Sequence, residues 1–261
     1  MTLDYQLIAA FTDSDRNLRG NIAAIIRHDQ ALREADMVKI AEDLNQPATT
    51  FLWPADTLHH WHIRWFAPDA EIGLCGHGSL AAIAHLSNNE SEVTLHYTGG
   101  TITGTKKNHG TSMDIDAITS YKKDTYDPVI VKGIGIPVLE YYENNNKSIV
   151  VVENEAAVRD MKPDFETLRH MTPFGIIVTA KGNEIDFVSR TLVPKVRQLE
   201  DHATGSSHAA LTPFWAKKLN KTQLSAQQLS ARGGAFQCEL IDERVMLTGQ
   251  TTLIGQGDYI L

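Results

Sequence analysis

The stretches EIGLCGHGS (residues 71–79) and EDHATGSSH (residues 200–208) decide the fold, because each leads from a strand-like segment into an alanine-rich helix. Their shared pattern is Glu71-x3-Cys75-Gly76 in one and Glu200-x3-Thr204-Gly205 in the other. The offset, 204 − 75 = 129 residues, is close to half of the 261-residue chain. This pattern indicates an internal duplication, and chance similarity between two short Gly/Ser turns is the alternative.

The elements around the first stretch predict the order ββαββαβββ for the first half. Apolar-rich segments at 5–11 and 21–27 predict strands. Apolar residues recur at i, i+3, i+4 and i+7 over 37–44, which predicts a helix that ends before Pro47. Two strands follow, then a helix over about 76–86, and then three strands.

The elements around the second stretch repeat that order. A helical segment over 155–171 is interrupted at Pro163, and a second helix is expected from about Gly205 to Leu219. Residues 117–127 lack an apolar period. The sequence therefore predicts two halves, 1–120 and 121–261, with the last strand as a candidate to return to the first half.

Composition excludes several classes of protein. Acidic residues outnumber basic ones by 32 to 24, which gives a net charge of −8 and no overall basic field for nucleic acid. Two cysteines cannot form a disulfide framework, and the first residues lack a basic signal-peptide region, so a cytoplasmic location is expected. No apolar run reaches the length of a membrane span, so no membrane partner is expected.

The two helix starts predict sites for anions. Unpaired backbone N–H groups and about half a positive charge lie at a helix N-terminus, and a glycine lets a ligand approach them closely. Facing halves would hold a carboxylated substrate between Gly76 and Gly205 and stabilise the anion formed when a proton is removed. The alternative is that both glycines only permit sharp turns.

Side chains near these helix starts are candidates for proton transfer. Cys75 lies where a helix start lowers thiol pKa values, and a small buried hydrophobic residue is the alternative. His77 and Asp201 are candidates to orient a substrate or move a proton, although a structural histidine is equally consistent with the pattern. Ser206 is a candidate donor to an anion or a helix cap. Thr204 replaces Cys75 in the repeat, which excludes a symmetric two-thiol mechanism.

Motifs for other chemistry are weak or absent. His60 and His62 share one face of a predicted strand and His59 points away from it, so no metal site is predicted. The sequence contains no P-loop, GxGxxG or GxSxG motif, so no nucleotide cofactor and no α/β-hydrolase chemistry is indicated.

The chain resembles the phenazine-biosynthesis PhzF-like isomerases, which have the diaminopimelate-epimerase fold. The resemblance spans essentially the whole chain and rests on five segments: AFTDSDRNLRGNIAA, IAEDLNQPATTF, IRWFAPDAEIGLCGHGSLAAIAHL, LEDHATGSSHAALTPFW and LSARGG. It implies an α+β fold of two pseudo-symmetric halves, each a curved, barrel-like, mostly antiparallel sheet around a central helix. It also implies an active site in the cleft between the halves, no metal or organic cofactor, and a homodimer.

The resemblance also assigns roles to individual residues. His77 and Asp201 match the family's site histidine and aspartate, and with Cys75 they form the expected catalytic set. Ser206 matches its substrate-contacting serine. The expected substrate-binding glycines are Gly76, Gly78 and Gly205.

One position departs from the family pattern. Ala48 stands where the family carries its proton-shuttling glutamate, and a methyl group cannot carry a proton. Two hypotheses follow: a cofactor-independent isomerase that moves a proton on a small carboxylated substrate with altered activity, or a catalytically silent protein on the same fold that binds a ligand or partner. A two-base racemase is a third and weaker option.

Overall fold

The computed structural model describes residues 1–87, 92–145 and 147–261, and the chain divides into two compact units. Unit 1 contains Met1–Ile115 and Met246–Leu261, and unit 2 contains Asp116–Val245. The last strand, β17 (Arg244–Ile260), begins in unit 2 and continues through unit 1. In the described ranges, none of the helices is both long enough and apolar enough to cross a membrane.

The described residues of unit 1, 1–87 and 92–115 with 246–261, form eight longer strands, one two-residue strand and two helices. Before β17 they are β1 (Thr2–Thr12), β2 (Asn21–Arg27), α1 (Glu34–Leu44), β3 (Ala48–Pro54), β4 (His60–Phe66), β5 (Glu71–Ile72), α2 (Gly76–Leu86), β6 (Val93–Tyr97), β7 (Gly100–Lys107) and β8 (Gly110–Asp116).

The strands of unit 1 close into a barrel. Their order is β1-β2-β3-β4-β6-β7-β8-β17, and β17 returns to β1 by antiparallel pairing from Thr2↔Ile260 to Thr12↔Gln250. The pairs β2–β3 and β4–β6 are parallel, and the pairs β1–β2, β3–β4, β6–β7, β7–β8 and β1–β17 are antiparallel. Helix α2 is buried from Gly76 to Ala84. A helix that is apolar on all sides has to be covered on all sides, and the surrounding strands meet this requirement.

Unit 2 contains a second sheet with helices against it. Its elements are β9 (Tyr121–Lys123), α3 (Pro128–Ile134), β10 (Glu140–Glu143), β11 (Ser148–Val151), α4 (Glu155–Asp160), α5 (Phe165–Leu168), β12 (Ile176–Lys181), β13 (Phe187–Leu192), β14 (Glu200–Asp201), α6 (Gly205–Leu219), β15 (Gln223–Gln228) and β16 (Gly234–Ile241).

The strand pairing of unit 2 reproduces that of unit 1. The order is β9-β10-β11-β12-β13-β15-β16, with parallel pairs β11–β12 and β13–β15 in the places that β2–β3 and β4–β6 occupy in unit 1. Helix α6, like α2, is buried along its first turns, from Gly205 to Thr212. The predicted fold class, two similar α+β halves with a mostly antiparallel sheet around a central helix, is confirmed.

The sequence prediction missed helix α3. Asp127 caps this helix, since its side chain accepts a hydrogen bond from the Val129 amide, and Pro128 occupies the first turn. Gly135 ends it with φ of 70°. These are ordinary start and stop signals. The segment VIVKGI that lies between them is rich in β-branched residues, which also suit a short strand.

Candidate active site

The first helix start contains a close pair of a thiol and an imidazole. Cys75 is the residue before α2, and its carbonyl accepts from both the amide and the hydroxyl of Ser79, at 2.9 and 2.7 Å. The Cys75 Sγ lies 3.5 Å from Nδ1 and 3.8 Å from Nε2 of His77. Both side chains are buried. Because the sulfur is nearly equidistant from the two ring nitrogens, it lies in line with neither, and direct proton transfer between the two groups requires one side chain to rotate.

Asn21 orients the imidazole. Its Nδ2 lies 3.2 Å from Nδ1 of His77, and with the amide assigned in this orientation Nδ2 donates and Nδ1 accepts. A neutral His77 therefore carries its hydrogen on Nε2. Asn21 lies 56 residues from His77 in the chain, and no role was predicted for it, although it belongs to the segment RGNIAA that carries the family resemblance.

The wall beside this helix start contains buried polar atoms without a hydrogen-bond partner in the structure. They are Oγ1 of Thr50 and Nε1 of Trp65. A Cβ at Gly78 would lie 2.8 Å from Trp65 and 2.9 Å from the Thr50 hydroxyl. A side chain at position 78 would therefore clash with the protein itself, which explains the glycine. If Gly78 binds substrate as predicted, it does so through its backbone.

Ala48 is completely buried at the start of β3, where its neighbour across the sheet is Ala23. The two carboxylates nearest to it in sequence, Glu42 and Asp43, are exposed on α1, and Asp43 accepts a hydrogen bond from Tyr259. Both carboxylates are exposed, so neither occupies the buried position of Ala48.

The second helix start is held by a network around Asp201. The Thr204 hydroxyl donates to Oδ2 of Asp201 at 2.7 Å. The buried side chain of Gln228 accepts from the Thr204 amide at 2.9 Å and donates to the Asp201 carbonyl at 2.6 Å. Gln228 thus ties the loop before α6 to strand β15, and no role was predicted for it.

Ser206 and Ser207 occupy the first turn of α6 and have different partners. Ser207 accepts from the Thr191 hydroxyl at 3.0 Å inside the sheet. Ser206 is hydrogen-bonded to the Nζ of Lys147, at 3.2 Å. Lys147 is buried and comes directly before β11, and the sequence analysis did not identify it.

The repeated glutamates form matching ion pairs. Glu71 accepts two hydrogen bonds from Arg64 of β4, both at 2.7 Å. Glu200 accepts two from Arg190 of β13, at 2.7 and 2.8 Å. The Arg64 guanidinium holds the pKa of Glu71 below its ordinary value. Each pair fixes the loop four residues before a central helix, which gives the repeated signature a structural reason.

The histidine-rich strand acquires a third imidazole from its neighbour. Nδ1 of His60 lies 2.9 Å from Nε2 of His96 on β6, and the ring of His62 lies 6.0 Å from that of His96. Burial and the two neighbouring imidazoles lower the pKa of His96. Throughout the described part of the chain, no group of three or more His, Cys, Asp or Glu side chains is arranged to hold a metal ion.

Residues of unit 2 enclose a cavity of about 600 Å³. Its lining has polar and apolar surface in similar amounts and consists of Asp116, Ala117, Ile118, Thr119, Tyr121, Lys123, Glu143, Asn144 and Asn145. None of the predicted site residues belongs to it, and the hydrogen-bonded helix starts are the better candidates for catalysis. Within unit 1 the structure brings together Cys75, Gly76, His77 and Gly78. Within unit 2 it brings together Asp201, Gly205 and Ser206.

Known proteins resemble this chain over its whole length. The profile of a family described as phenazine biosynthesis-like protein matches residues 8–257. An uncharacterized isomerase of Pseudomonas aeruginosa is 36% identical over 262 residues, which is 98% of both chains. A crystal structure of a PhzF-family phenazine biosynthesis protein from Enterococcus faecalis superimposes with a TM-score of 0.91 at 34% identity, over 100% of both chains. A hydroxyproline epimerase from Agrobacterium vitis, solved with bound trans-4-hydroxy-L-proline, shares the fold with a TM-score of 0.66 at 10% identity and covers 98% of this chain and 92% of its own.

Proposed function

Because the chain belongs to the phenazine biosynthesis-like family, we propose that it is an isomerase that moves a proton on a small carboxylated substrate without a metal or organic cofactor. The observation that carries this proposal is the Cys75–His77 pair at the start of α2, where Sγ and Nδ1 are 3.5 Å apart. A thiol–imidazole pair can accept a proton from carbon and return it near neutral pH.

The proposed reaction neither oxidises nor reduces the substrate. His77, which lies beside Cys75, removes a proton from a carbon activated by the carboxylate or by a conjugated double bond, and it takes this proton on Nδ1 once Asn21 has released that nitrogen. The electron pair of that C–H bond moves into the adjoining π system, and the protonated group returns the proton to a different carbon. Backbone amides at the helix starts stabilise the charge that develops. The prediction that both helix starts and Asp201 serve the same substrate is part of this proposal.

Incorporation of deuterium from solvent tests the isomerase. The protein is incubated in deuterated water with small carboxylic and amino acids, including trans-4-hydroxy-L-proline, and mass spectrometry records exchange into carbon. We expect exchange into at least one compound and its loss in His77→Asn. Folded wild-type protein that exchanges deuterium into no member of a broad panel would contradict the proposal.

A second function, ligand binding without catalysis, is supported by Ala48. Losing a positioned acid/base group typically costs about 10²- to 10⁴-fold in rate. The variants Ala48→Glu and Ala48→Gln have side chains of nearly equal size, so their comparison isolates the carboxylic acid. Exchange that appears only in Ala48→Glu would support the non-catalytic protein. Wild-type exchange that neither substitution raises would refute it.

We also propose that the protein is a homodimer in a reducing compartment such as the cytoplasm. Leu253, Ile254 and Ile260 on β17 are exposed apolar side chains, which are consistent with a covered surface. Neither Cys75 nor Cys238 forms a disulfide within the described residues. Sedimentation equilibrium is expected to give twice the chain mass of 28.9 kDa, and the mass of a single chain would refute the dimer.

A further inference from the structure

A buried lysine lies at the start of the central helix of unit 2. Lys147 is 8% exposed, and its Nζ lies 3.2 Å from Oγ of Ser206, which is 5% exposed. The two residues are 59 positions apart in the chain, so strand β11 brings the lysine to the helix. Ser206 is the second residue of the 15-residue helix α6.

The chemistry of the ammonium group fixes the direction of this hydrogen bond. A protonated lysine has three hydrogens to donate and no lone pair with which to accept one. Ser206 Oγ must therefore be the acceptor, and its own single hydrogen has to point away from Lys147. The lysine thereby turns the serine hydroxyl into a donor toward any group that approaches from another side.

The charges at this point favour an anion as that group. The N-terminus of a helix carries about half a positive charge. The Asp201 carboxylate, which accepts from the N-cap residue Thr204, is an opposing charge at this helix start, and the Lys147 ammonium matches it. A carboxylate accepts hydrogen bonds only, whereas a carboxamide also presents N–H groups, which a fixed serine donor and an ammonium would repel.

We propose that Lys147 is a positioning residue that acts through Ser206 and makes the start of α6 select a carboxylate over a carboxamide of the same shape. The inference deepens the proposed function and rests on it for the identity of the ligand as a substrate carboxylate. It also assigns different tasks to the two helix starts, since Cys75 and His77 lie at one and Lys147 and Ser206 at the other.

Acetate and acetamide are a matched pair of probes that requires no knowledge of the substrate. The full chain is labelled with ¹⁵N, and each probe is titrated while the amide resonances of residues 205–207 are followed. We expect acetate to shift these resonances along a saturating curve and acetamide to produce no saturating shift. Lys147→Met removes the hydrogen-bond donors and keeps a side chain of similar length. It should lower the affinity for acetate at least tenfold.

Two further variants separate positioning from a general effect of charge. Lys217→Met removes the same charge from the exposed last turn of the same helix and should change acetate affinity less than twofold. In the wild-type chain, Ser206→Ala should lower the affinity for acetate strongly. In the Lys147→Met variant the same substitution should lower it little further, because the lysine acts through the serine. If Lys147→Met does not fold, Ser206→Ala replaces it in the test. We then expect this variant to bind acetate no better than acetamide.

Several results would overturn the inference. They are the absence of saturable acetate binding in the wild type, an unchanged acetate affinity in Lys147→Met, and fully additive effects of the two substitutions. The deuterium-exchange assay is a separate measurement. If acetate binding depends on Lys147 but the protein exchanges no deuterium, the isomerase is refuted and this inference stands. If the protein exchanges deuterium but acetate binding does not depend on Lys147, the isomerase stands and this inference is refuted.

Discussion

Two arginine–glutamate pairs hold the loops before the central helices, and they differ mainly in burial. Arg190 and Glu200 have side chains that are only 11% and 17% exposed, and Arg190 also donates to the Met161 carbonyl at 2.6 Å. Arg64 and Glu71 are more open to solvent. Loss of the arginine should therefore lower the free energy of unfolding by different amounts in the two units, although the bidentate geometry is the same.

Replacing each arginine by methionine tests this difference. Arg190→Met leaves Glu200 poorly solvated and unpaired, so the free energy of unfolding should fall by about 3–5 kcal/mol. Arg64→Met leaves a carboxylate that water can reach, and the loss should stay within about 1 kcal/mol. Urea unfolding measures both values. Adding Glu200→Gln to Arg190→Met should recover part of the loss, and equal effects of the two single substitutions would contradict the argument.

His208 is a completely buried histidine in α6. Its Nδ1 donates to the Thr204 carbonyl at 2.9 Å, and its ring stacks on Phe236 at a centroid distance of 3.5 Å. Nε2 has no hydrogen-bond partner in the structure. Burial lowers the pKa of His208 to about 4. The folded protein therefore holds this imidazole neutral under mildly acidic conditions.

This buried imidazole predicts acid sensitivity in a defined window. Between pH 6.5 and about 4 the unfolded chain protonates His208 and the folded chain does not, so stability rises with pH. The contribution is fully present above pH 6.5 and is lost as pH falls, by about 3 kcal/mol in total. In His208→Asn the amide can replace the Nδ1 donor without titrating. Urea unfolding at pH 7.5, 5.5 and 4.5 should show a flatter pH dependence for this variant; an unchanged slope would count against the assignment.

The closed barrel leaves little space between α2 and the strands around it. A Cβ at Gly104 of β7 would lie 2.3 Å from the Ser112 carbonyl oxygen and 2.6 Å from Ile83 of α2. The contact with backbone cannot be relieved by rotating a side chain. Gly73, in the loop before α2, has no atom within 4 Å of the corresponding position.

Alanine at these two glycines compares a crowded site with an open one. Gly104→Ala should lower the free energy of unfolding by about 1–3 kcal/mol, because it overfills the space beside α2. Gly73→Ala should change it by less than about 0.5 kcal/mol. Thermal and urea unfolding of both variants check the comparison. A tolerated Gly104→Ala would show that the barrel expands more easily than this geometry allows.

Strand β17 connects the end of the chain to its beginning. Residues 246–261 belong to unit 1, where they pair with β1 and β8 and complete the ring of strands. Without them β1 and β8 would be unpaired edges with open N–H and C=O groups. The barrel of unit 1 therefore depends on residues that lie about 130 positions beyond the rest of the unit in the chain.

Truncation after Val245 tests this dependence. We expect residues 1–115 to lose their dispersed amide resonances and the shortened chain to aggregate. The reason is that β1 and β8, which flank β17 on its two sides, both lose their pairing partner. Removal of Leu261 alone serves as the control and should leave the spectrum essentially unchanged. A truncated chain with a native-like spectrum for unit 1 would show that the barrel closes without β17.

The sequence by itself determined both central helices, 76–86 and 205–219, as well as the interruption at Pro163 and the repeated order of elements. These features depend on glycine turns, proline and apolar periodicity, which act between residues that are close in the chain. Even local signals can be ambiguous: the segment that forms α3 has a cap, a proline and a glycine, yet its apolar residues also suit a strand.

Only the tertiary structure decided which side chains contact the predicted ones. Asn21 reaches His77 across 56 positions, Lys147 reaches Ser206 across 59, and Gln228 reaches Thr204 across 24. Each contact depends on strand register and on the depth at which a helix lies in its sheet. Those quantities are set by the packing of the whole core, because a shift of one residue in register moves a side chain to the opposite face.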